Sequence, residues 1–201
     1  EYKGNRSDAP DDLIPQFDYI RKSVKAFNLP SIELINYEAD DLIATYVEQI
    51  LAEGAKATIV SSDKDLMQLF KKNVRIYDPM KNKFITSEDV NIKFGVGPEK
   101  VVDVQALAGD STDNVPGVPG IGVKTAAELI NEYGTLENLL KNSNKIKQNK
   151  RRETLIENKE KAIISKKLVT LKKDVPVENN IHEFELKSVN KDKLYSFLRE
   201  M

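Results

Sequence analysis

Between Ser31 and Thr86, short apolar runs alternate with segments whose apolar residues recur at helical spacing, and this alternation leaves few folds open. Ser31–Asn36 reads as a short strand. Glu38–Ala52 has helical period through Leu42, Ile43, Tyr46, Val47, Ile50 and Leu51, with Gly54 as a C-terminal stop. Ala57–Ser61 is a compact apolar strand and Lys64–Phe70 a short helix, and Val74–Tyr77 with Lys83–Thr86 forms a strand pair around a polar turn. Such a series predicts an α/β layer, with a largely parallel central sheet flanked by helices. Upstream, Asp11–Phe27 is an amphipathic helix that follows Pro10.

From Ser87 the pattern turns helical: Glu88–Phe94, Glu99–Leu107, Lys124–Tyr133, Thr135–Leu140, Glu153–Lys167 and the terminal Lys191–Glu200. A Gly/Pro-rich loop, Asp110–Gly122, and a polar stretch, Lys141–Arg152, interrupt the series; Leu168–Leu171 is read as a last strand. The expected organisation is therefore an α/β unit over 1–86, a helical unit over 87–173, and a tail over 174–201 leading towards a following domain.

Bulk properties narrow the function. Among 201 residues, 40% are hydrophobic and none is cysteine, which rules out disulfides and thiolate metal sites. No apolar run approaches the roughly 20 residues that span a bilayer, and nothing resembles a signal peptide, so a cytoplasmic protein without membrane contact is expected. Nothing signals oligomerisation, and a monomer is expected. The net charge of −1 hides segregation: eight acids against two lysines over Glu33–Asp65, and twelve Lys and Arg against three acids over Lys141–Lys173. An acidic pocket beside a basic arm suits a protein that holds cations in one place and a polyanion along another; solvated helix faces of both signs are the plain alternative.

Three carboxylate clusters stand out: Glu38-Ala-Asp40-Asp41, Ser62-Asp63-Lys64-Asp65 and Asp110-Ser-Thr-Asp113-Asn114. The first two fall where a predicted strand hands over to a helix, the edge at which open α/β sheets bind ligands. Any one of them could be a helix cap. Together they would repel strongly unless cations neutralised them, and hard oxygen ligands without His or Cys favour Mg²⁺ or Mn²⁺. Two such ions support phosphodiester hydrolysis without a side-chain nucleophile. The lone His182 lies far from every cluster in sequence and reads as a surface or strand residue.

The loop Gly117-Val-Pro-Gly120-Ile-Gly122-Val-Lys124-Thr125 is neither a P-loop, since Val123 separates the last glycine from Lys124, nor a dinucleotide fingerprint, since a helix and a polar turn precede it. It reads as a helix-hairpin-helix. Gly117, Gly120 and Gly122 would take positive φ and let backbone approach a phosphate; the N–H groups opening the next helix, with Lys124 and Thr125, would meet phosphate oxygens. An ordinary tight turn is the alternative.

These pieces, in this order, resemble the 5′-nuclease (flap endonuclease) family, most closely the 5′→3′ exonuclease domain of bacterial DNA polymerase I. The resemblance rests on Tyr2-Lys3-Gly-Asn-Arg6, on the three acidic clusters with Leu-Met-Gln68-Leu after the second, and on the glycine loop; it spans nearly the first two-thirds of the chain. It implies that 1–86 is the C-terminal part of a PIN-like nuclease core with the base of a helical clamp, and that 87–173 is a helix-hairpin-helix subdomain. It implies that Glu38, Asp40, Asp41, Asp63 and Asp65 ligate or hydrogen-bond two metal ions and that Asp110 and Asp113 complete the shell of the second ion. Lys3 and Arg6 would hold the scissile phosphate or the 5′ strand, and Tyr2 could stack on a base. K⁺ at the hairpin, and DNA with a 5′ flap, nick or RNA primer as substrate, follow from the same resemblance.

The sequence departs from the family at its start. Glu1 stands first rather than Met, no core strand precedes Glu1–Asp12, and the family's two earlier aspartates are not in the sequence. An N-terminally truncated chain is therefore expected, one that alone would bind Mg²⁺ weakly and cut poorly. A non-catalytic, sequence-independent DNA-binding module and a stand-alone 5′ nuclease without polymerase remain open.

Overall fold

The computed structural model describes residues 3–4 and 8–201. The first helix, α1 (Gln16–Ala26), begins later than the periodicity predicts, because residues 11–15 form turns. The next, α2 (Ala39–Ala52), buries Leu42, Ala44, Tyr46 and Val47. Three strands follow among the described residues: β1 (Ala57–Val60), β2 (Val74–Asp78) and β3 (Lys83–Ile85). The β1–β2 pair is parallel, joined through a 3-10 turn at Asp65–Leu69, and β2–β3 is an antiparallel hairpin. The sheet expected to be largely parallel thus has one ladder of each kind, in the order β1-β2-β3. Period-2 alternation turns Ala57, Ile59, Val74 and Ile76 inward and leaves Thr58 and Val60 exposed.

The helical part comprises α3 (Ser87–Phe94), α4 (Val101–Ala108), α5 (Val123–Tyr133), α6 (Leu136–Lys141), α7 (Asn149–Glu157) and α8 (Lys159–Val169). Thr86 and Asp89 close a capping box on α3, and Gly95 ends it in the left-handed region. One continuous core runs from Ala44 to Val169, with Leu66, Leu69, Ile76, Leu107, Ile130, Leu139 and Leu155 fully buried. Truncating one such leucine to alanine costs about 2–5 kcal/mol.

Three predicted elements come out differently. Ser31–Asn36 forms no strand: it has no ladder partner among the described residues, Ile35 is 85% exposed, and Asn36 has φ 71°. The single helix expected over Glu153–Lys167 is two, α7 and α8, broken at Asn158, and α7 starts inside the polar stretch read as an interruption. Leu168–Leu171 is not a strand either. Leu168 and Val169 end α8, and the Gln68 side chain satisfies the backbone beyond it, donating to Val169 O (3.0 Å) and accepting from Leu171 N–H (3.1 Å).

The segment beyond residue 173 turns back onto the α/β layer. Val175 N–H donates to Thr45 Oγ1 (3.1 Å), and the Phe184 ring meets Tyr46 edge-on at 5.0 Å. The last helix, α9 (Lys191–Glu200), packs against α1, where Lys22 pairs with Glu200. Among the described residues no helix is long and apolar enough to cross a membrane.

Candidate metal centre and nucleic-acid hairpin

The parallel β1–β2 pair and the start of α2 bring two acidic clusters to one edge of the sheet. Glu38 is the N-cap of α2 in extended conformation, and Asp40 and Asp41 occupy its first turn, where the helix dipole favours negative charge. Just past β1, the chain folds over its own side chains: Ser61 Oγ accepts from Asp63 N–H (3.0 Å), and Asp63 Oδ1 accepts from Asp65 N–H (2.9 Å). The third cluster follows α4. Gly109 turns the chain at φ 72°, a short antiparallel bridge joins Asp110 to Val115, and Asp110 Oδ1 accepts from Thr112 N–H (2.8 Å).

These three segments meet around a small pocket of about 40 Å³, lined by Lys3, Glu38, Asp40, Asp63, Asp65, Asp110 and Asp113 with Val115, Leu168, Val169 and Leu171. Six of the seven carboxylates singled out in the sequence face it. Asp41 stands apart, its Oδ1 accepting from Lys172 N–H (2.8 Å), which ties α2 to the chain after α8. Lys3 joins the clusters from the other side: its backbone N–H donates to Asp113 O (3.0 Å) and its ammonium pairs with Glu38. Tyr2 and Arg6 lie outside the described residues.

Crowding shows in the electrostatics. Burial, then the charges of Asp63, Asp65 and Glu38, push the Asp40 carboxyl up to about 6, with Lys3 opposing. Burial also raises Asp65, against a hydrogen bond from Gln105 Nε2 (2.6 Å) that favours its ionised form. Burial would raise Asp110 too, but the paired ammonium of Lys64 overrides it and holds the carboxyl below the ordinary range. Asp65, Asp110 and Asp113 each place one oxygen within 4.8 Å of the others. Mg²⁺–oxygen bonds are about 2.0–2.1 Å, so adjacent ligands of one ion stand roughly 2.9 Å apart and opposite ones roughly 4.2 Å, a span of the same order as this cluster. The donor set and its spacing fit a hard divalent cation.

Three residues of this site carried no role in the sequence reading. Gln105 anchors Asp65 from the buried face of α4, Gln68 holds the 169–171 wall, and Lys64 neutralises Asp110. A polar side chain inside the apolar run Val101–Ala108 was the one signal for Gln105; nothing marks which lysine meets which carboxylate. His182 is far from the pocket, on the surface beside Glu53.

The glycine loop joins α4 to α5 as a helix-hairpin-helix, and its glycines divide by task. Gly117, at φ 59°, packs on Gly109 so closely that a Cβ there would stand 2.5 Å from the Gly109 nitrogen. Its N–H donates to Ser165 Oγ (2.9 Å), and Val118 N–H to Leu107 O (2.8 Å). Gly120 is also left-handed (φ 75°), whereas Gly122, expected at positive φ, is the extended N-cap of α5 at φ −87°. A Cβ on Gly120 or Gly122 would meet nothing within 4 Å, so this backbone is open to approach from outside. The first turn of α5 has no side-chain cap and no acidic residue, and Lys124 is exposed with Thr125 half-buried beside it. Its leading N–H groups therefore face outward towards any anion.

Family comparison agrees with both halves of this description. Residues 1–95 match the family described as 5'-3' exonuclease, N-terminal resolvase-like domain, and residues 96–192 match 5'-3' exonuclease, C-terminal SAM fold. DNA polymerase I of Rhizobium leguminosarum is 55% identical over 200 residues, covering all of this chain and 20% of that protein. DNA polymerase I of Bacillus caldotenax is 39% identical, with 23% of its length covered; the chain thus spans between a fifth and a quarter of these relatives. The 5'-3' exonuclease of Aquifex aeolicus is 41% identical over 201 residues, and this chain covers 68% of it. In fold, the chain superposes on T5 5'-exonuclease bearing zinc ions with TM-score 0.76 at 24% identity, covering all of this chain and 75% of that one. The catalytic core of Rad2 in complex with DNA substrate gives TM-score 0.60 at 19% identity, with 96% and 66% covered. With both halves of its length matched and two-thirds of a 41%-identical exonuclease covered, the chain belongs to the 5'-3' exonuclease family.

Proposed function

We propose that the chain hydrolyses phosphodiester bonds at the 5′ ends and flaps of DNA, or of an RNA primer on DNA, with two divalent ions, as the 5′-nuclease part of a bacterial DNA polymerase I. The observation that carries this is the convergence of six carboxylates and Lys3 on one pocket, beside a hairpin whose backbone is open to a phosphate. The 55% identity to a polymerase I supports the polymerase context, and the T5 and Rad2 neighbours, solved with metal ions or DNA, support metal and DNA as ligands. A cytoplasmic enzyme acting as a monomer belongs to the same proposal.

Asp65, Asp110 and Asp113 would hold one ion; Glu38, Asp40 and Asp63, with Asp65 between the two groups, would hold the other. Asp41 would act from behind, through its hold on the chain at Lys172. Mg²⁺ or Mn²⁺, when bound, supplies Lewis-acid stabilisation of the phosphoryl charge and lowers the pKa of an attacking water. Lys3 holds its ammonium at the pocket wall, where negative charge on the phosphate grows, and Arg6 would add to it. Val115, Leu168, Val169 and Leu171 form the apolar wall that limits water and strengthens these charges. The hairpin grips duplex backbone through N–H groups and Lys124, with K⁺ held against its carbonyls, so binding is sequence-independent and salt-sensitive.

Titrating Mn²⁺ against a 5′-flap substrate with the complete natural polypeptide tests the proposal. Shortened 5′ products that rise with the metal are expected. Tight flap binding with no product at any metal concentration would establish the non-catalytic binding module instead.

A further inference from the structure

Lys64 lies inside the second acidic cluster, and its ammonium is paired with the carboxylate of Asp110 in the third. Asp110 is nearly buried, its side chain 7% exposed, whereas that of Lys64 is 38% exposed. The charges of Asp65 and Asp113 act on the same ammonium. The partners of this lysine are thus the three residues whose oxygens lie within 4.8 Å of one another. A hard divalent ion would compete with this ammonium for the same oxygens, and Lys64 also lines an adjoining groove. That groove, about 490 Å³, is lined by Ser61, Ser62, Asp63, Lys64 and Lys93 together with the metal-facing acids and Thr112.

We propose that Lys64 is a tethered counter-ion: it occupies the Asp65–Asp110–Asp113 subsite while no metal is bound, and a divalent ion displaces it into the groove, where it joins Lys93 in holding a DNA phosphate. Before metal arrives, its charge offsets a repulsion that would otherwise fall on a half-buried carboxylate group. After metal arrives, the freed ammonium is attracted to a polyanion lying along the groove rather than back to acids already neutralised. The order of assembly follows: DNA gains this contact only when the metal site is filled. The inference rests on the divalent-metal reading of the pocket and adds to it a competitor and a sequence of events.

Site-resolved lysine acetylation of the complete natural polypeptide, without DNA, tests the displacement. Lys64 is expected to react slowly in metal-free buffer and several-fold faster with saturating Mn²⁺, while Lys93 changes little. In an Asp110→Asn variant, Lys64 should react rapidly with or without Mn²⁺. A Lys64 rate that ignores Mn²⁺ in the unmodified protein would overturn the displacement. The phosphate contact is read separately, as flap-DNA binding in Ca²⁺ at several salt concentrations. Lys64→Met is expected to flatten the dependence of log K on log salt by about one unit in Ca²⁺ and to leave the slope unchanged without a divalent ion. Equal slopes in Ca²⁺ for the variant and the unmodified protein would refute the contact. Failure of the underlying metal reading looks different: no Mn²⁺-dependent flap products form at all. A nuclease that cuts with Mn²⁺ while its Lys64 ignores the metal sinks only the present inference.

Discussion

The acidic pocket and the hairpin are built in opposite ways. The pocket takes side chains from three segments separated by tens of residues, and it exists because β1, the start of α2 and the end of α4 meet. The hairpin takes backbone from one run between Gly109 and Lys124, and its shape follows from local φ values and one close glycine contact. A site made of side chains tolerates local change and fails when a charge is lost. A site made of backbone tolerates side-chain change where space is open and fails when a Cβ intrudes.

Charge loss in the pocket should give the largest effect. Asp63→Asn is expected to cut turnover on a 5′-flap substrate by about 10²–10³-fold, the scale of losing one group that stabilises the transition state. Affinity for the flap, measured by anisotropy in Ca²⁺, should stay nearly unchanged. An equal loss of affinity and turnover would show that pocket and hairpin are not separate tasks.

Backbone intrusion comes next. Gly117→Ala would force a Cβ to within 2.5 Å of the Gly109 nitrogen at φ 59°. A stability loss of roughly 2–4 kcal/mol in urea unfolding is expected, as for strain that the surroundings cannot relax. Gly122→Ala, at negative φ with open space around it, should barely alter unfolding yet weaken duplex binding. If both variants lost stability alike, the division between structural and DNA-facing glycines would be wrong.

The pocket should also carry its own pH dependence when metal-free. The folded pKa of Asp40, about 6, lies above its unfolded value near 3.8. The folded state therefore holds more protons between those values, and stability falls as pH rises from about 4 to 6. Asp40→Asn should flatten this fall in thermal unfolding recorded with chelator, and metal uptake below pH 6 should release protons. A metal-free profile equally steep in the variant would remove Asp40 as its source.

The smallest effect belongs to Lys124. Lys124→Ala is expected to weaken binding evenly across duplex sequences and to lower the salt slope by about one unit. A sequence-selective loss would mean that this residue reads bases.

Most helices were legible because their apolar faces have the right period: α2, α3, α5, α6 and α9 lie within a residue or two of their predicted bounds. Ser31–Asn36 and Leu168–Leu171 misled because a strand requires a ladder, and apolar composition does not supply a neighbour. At 31–36 no strand among the described residues stands alongside, and at 168–171 the Gln68 amide takes the backbone partners a strand would use. The break at Asn158 was missed because Asn within a charged, helix-favouring run carries little warning.

Spacing and residue type by themselves determined that two acidic clusters open helical segments of an α/β layer while a third follows a helix, that no cysteine offers a cation a thiolate, and that a glycine hairpin opens the helix after the third. Those are local facts, fixed by periodicity, composition and turn chemistry. Tertiary structure alone decided which carboxylates share a pocket. It turned Asp41 away to hold Lys172, set Gln105 against Asp65 from a buried helix face, and placed the Lys64 ammonium on Asp110. The reason is physical: Coulomb energy and desolvation depend on distances between atoms far apart in the chain, and only the packed core sets those distances.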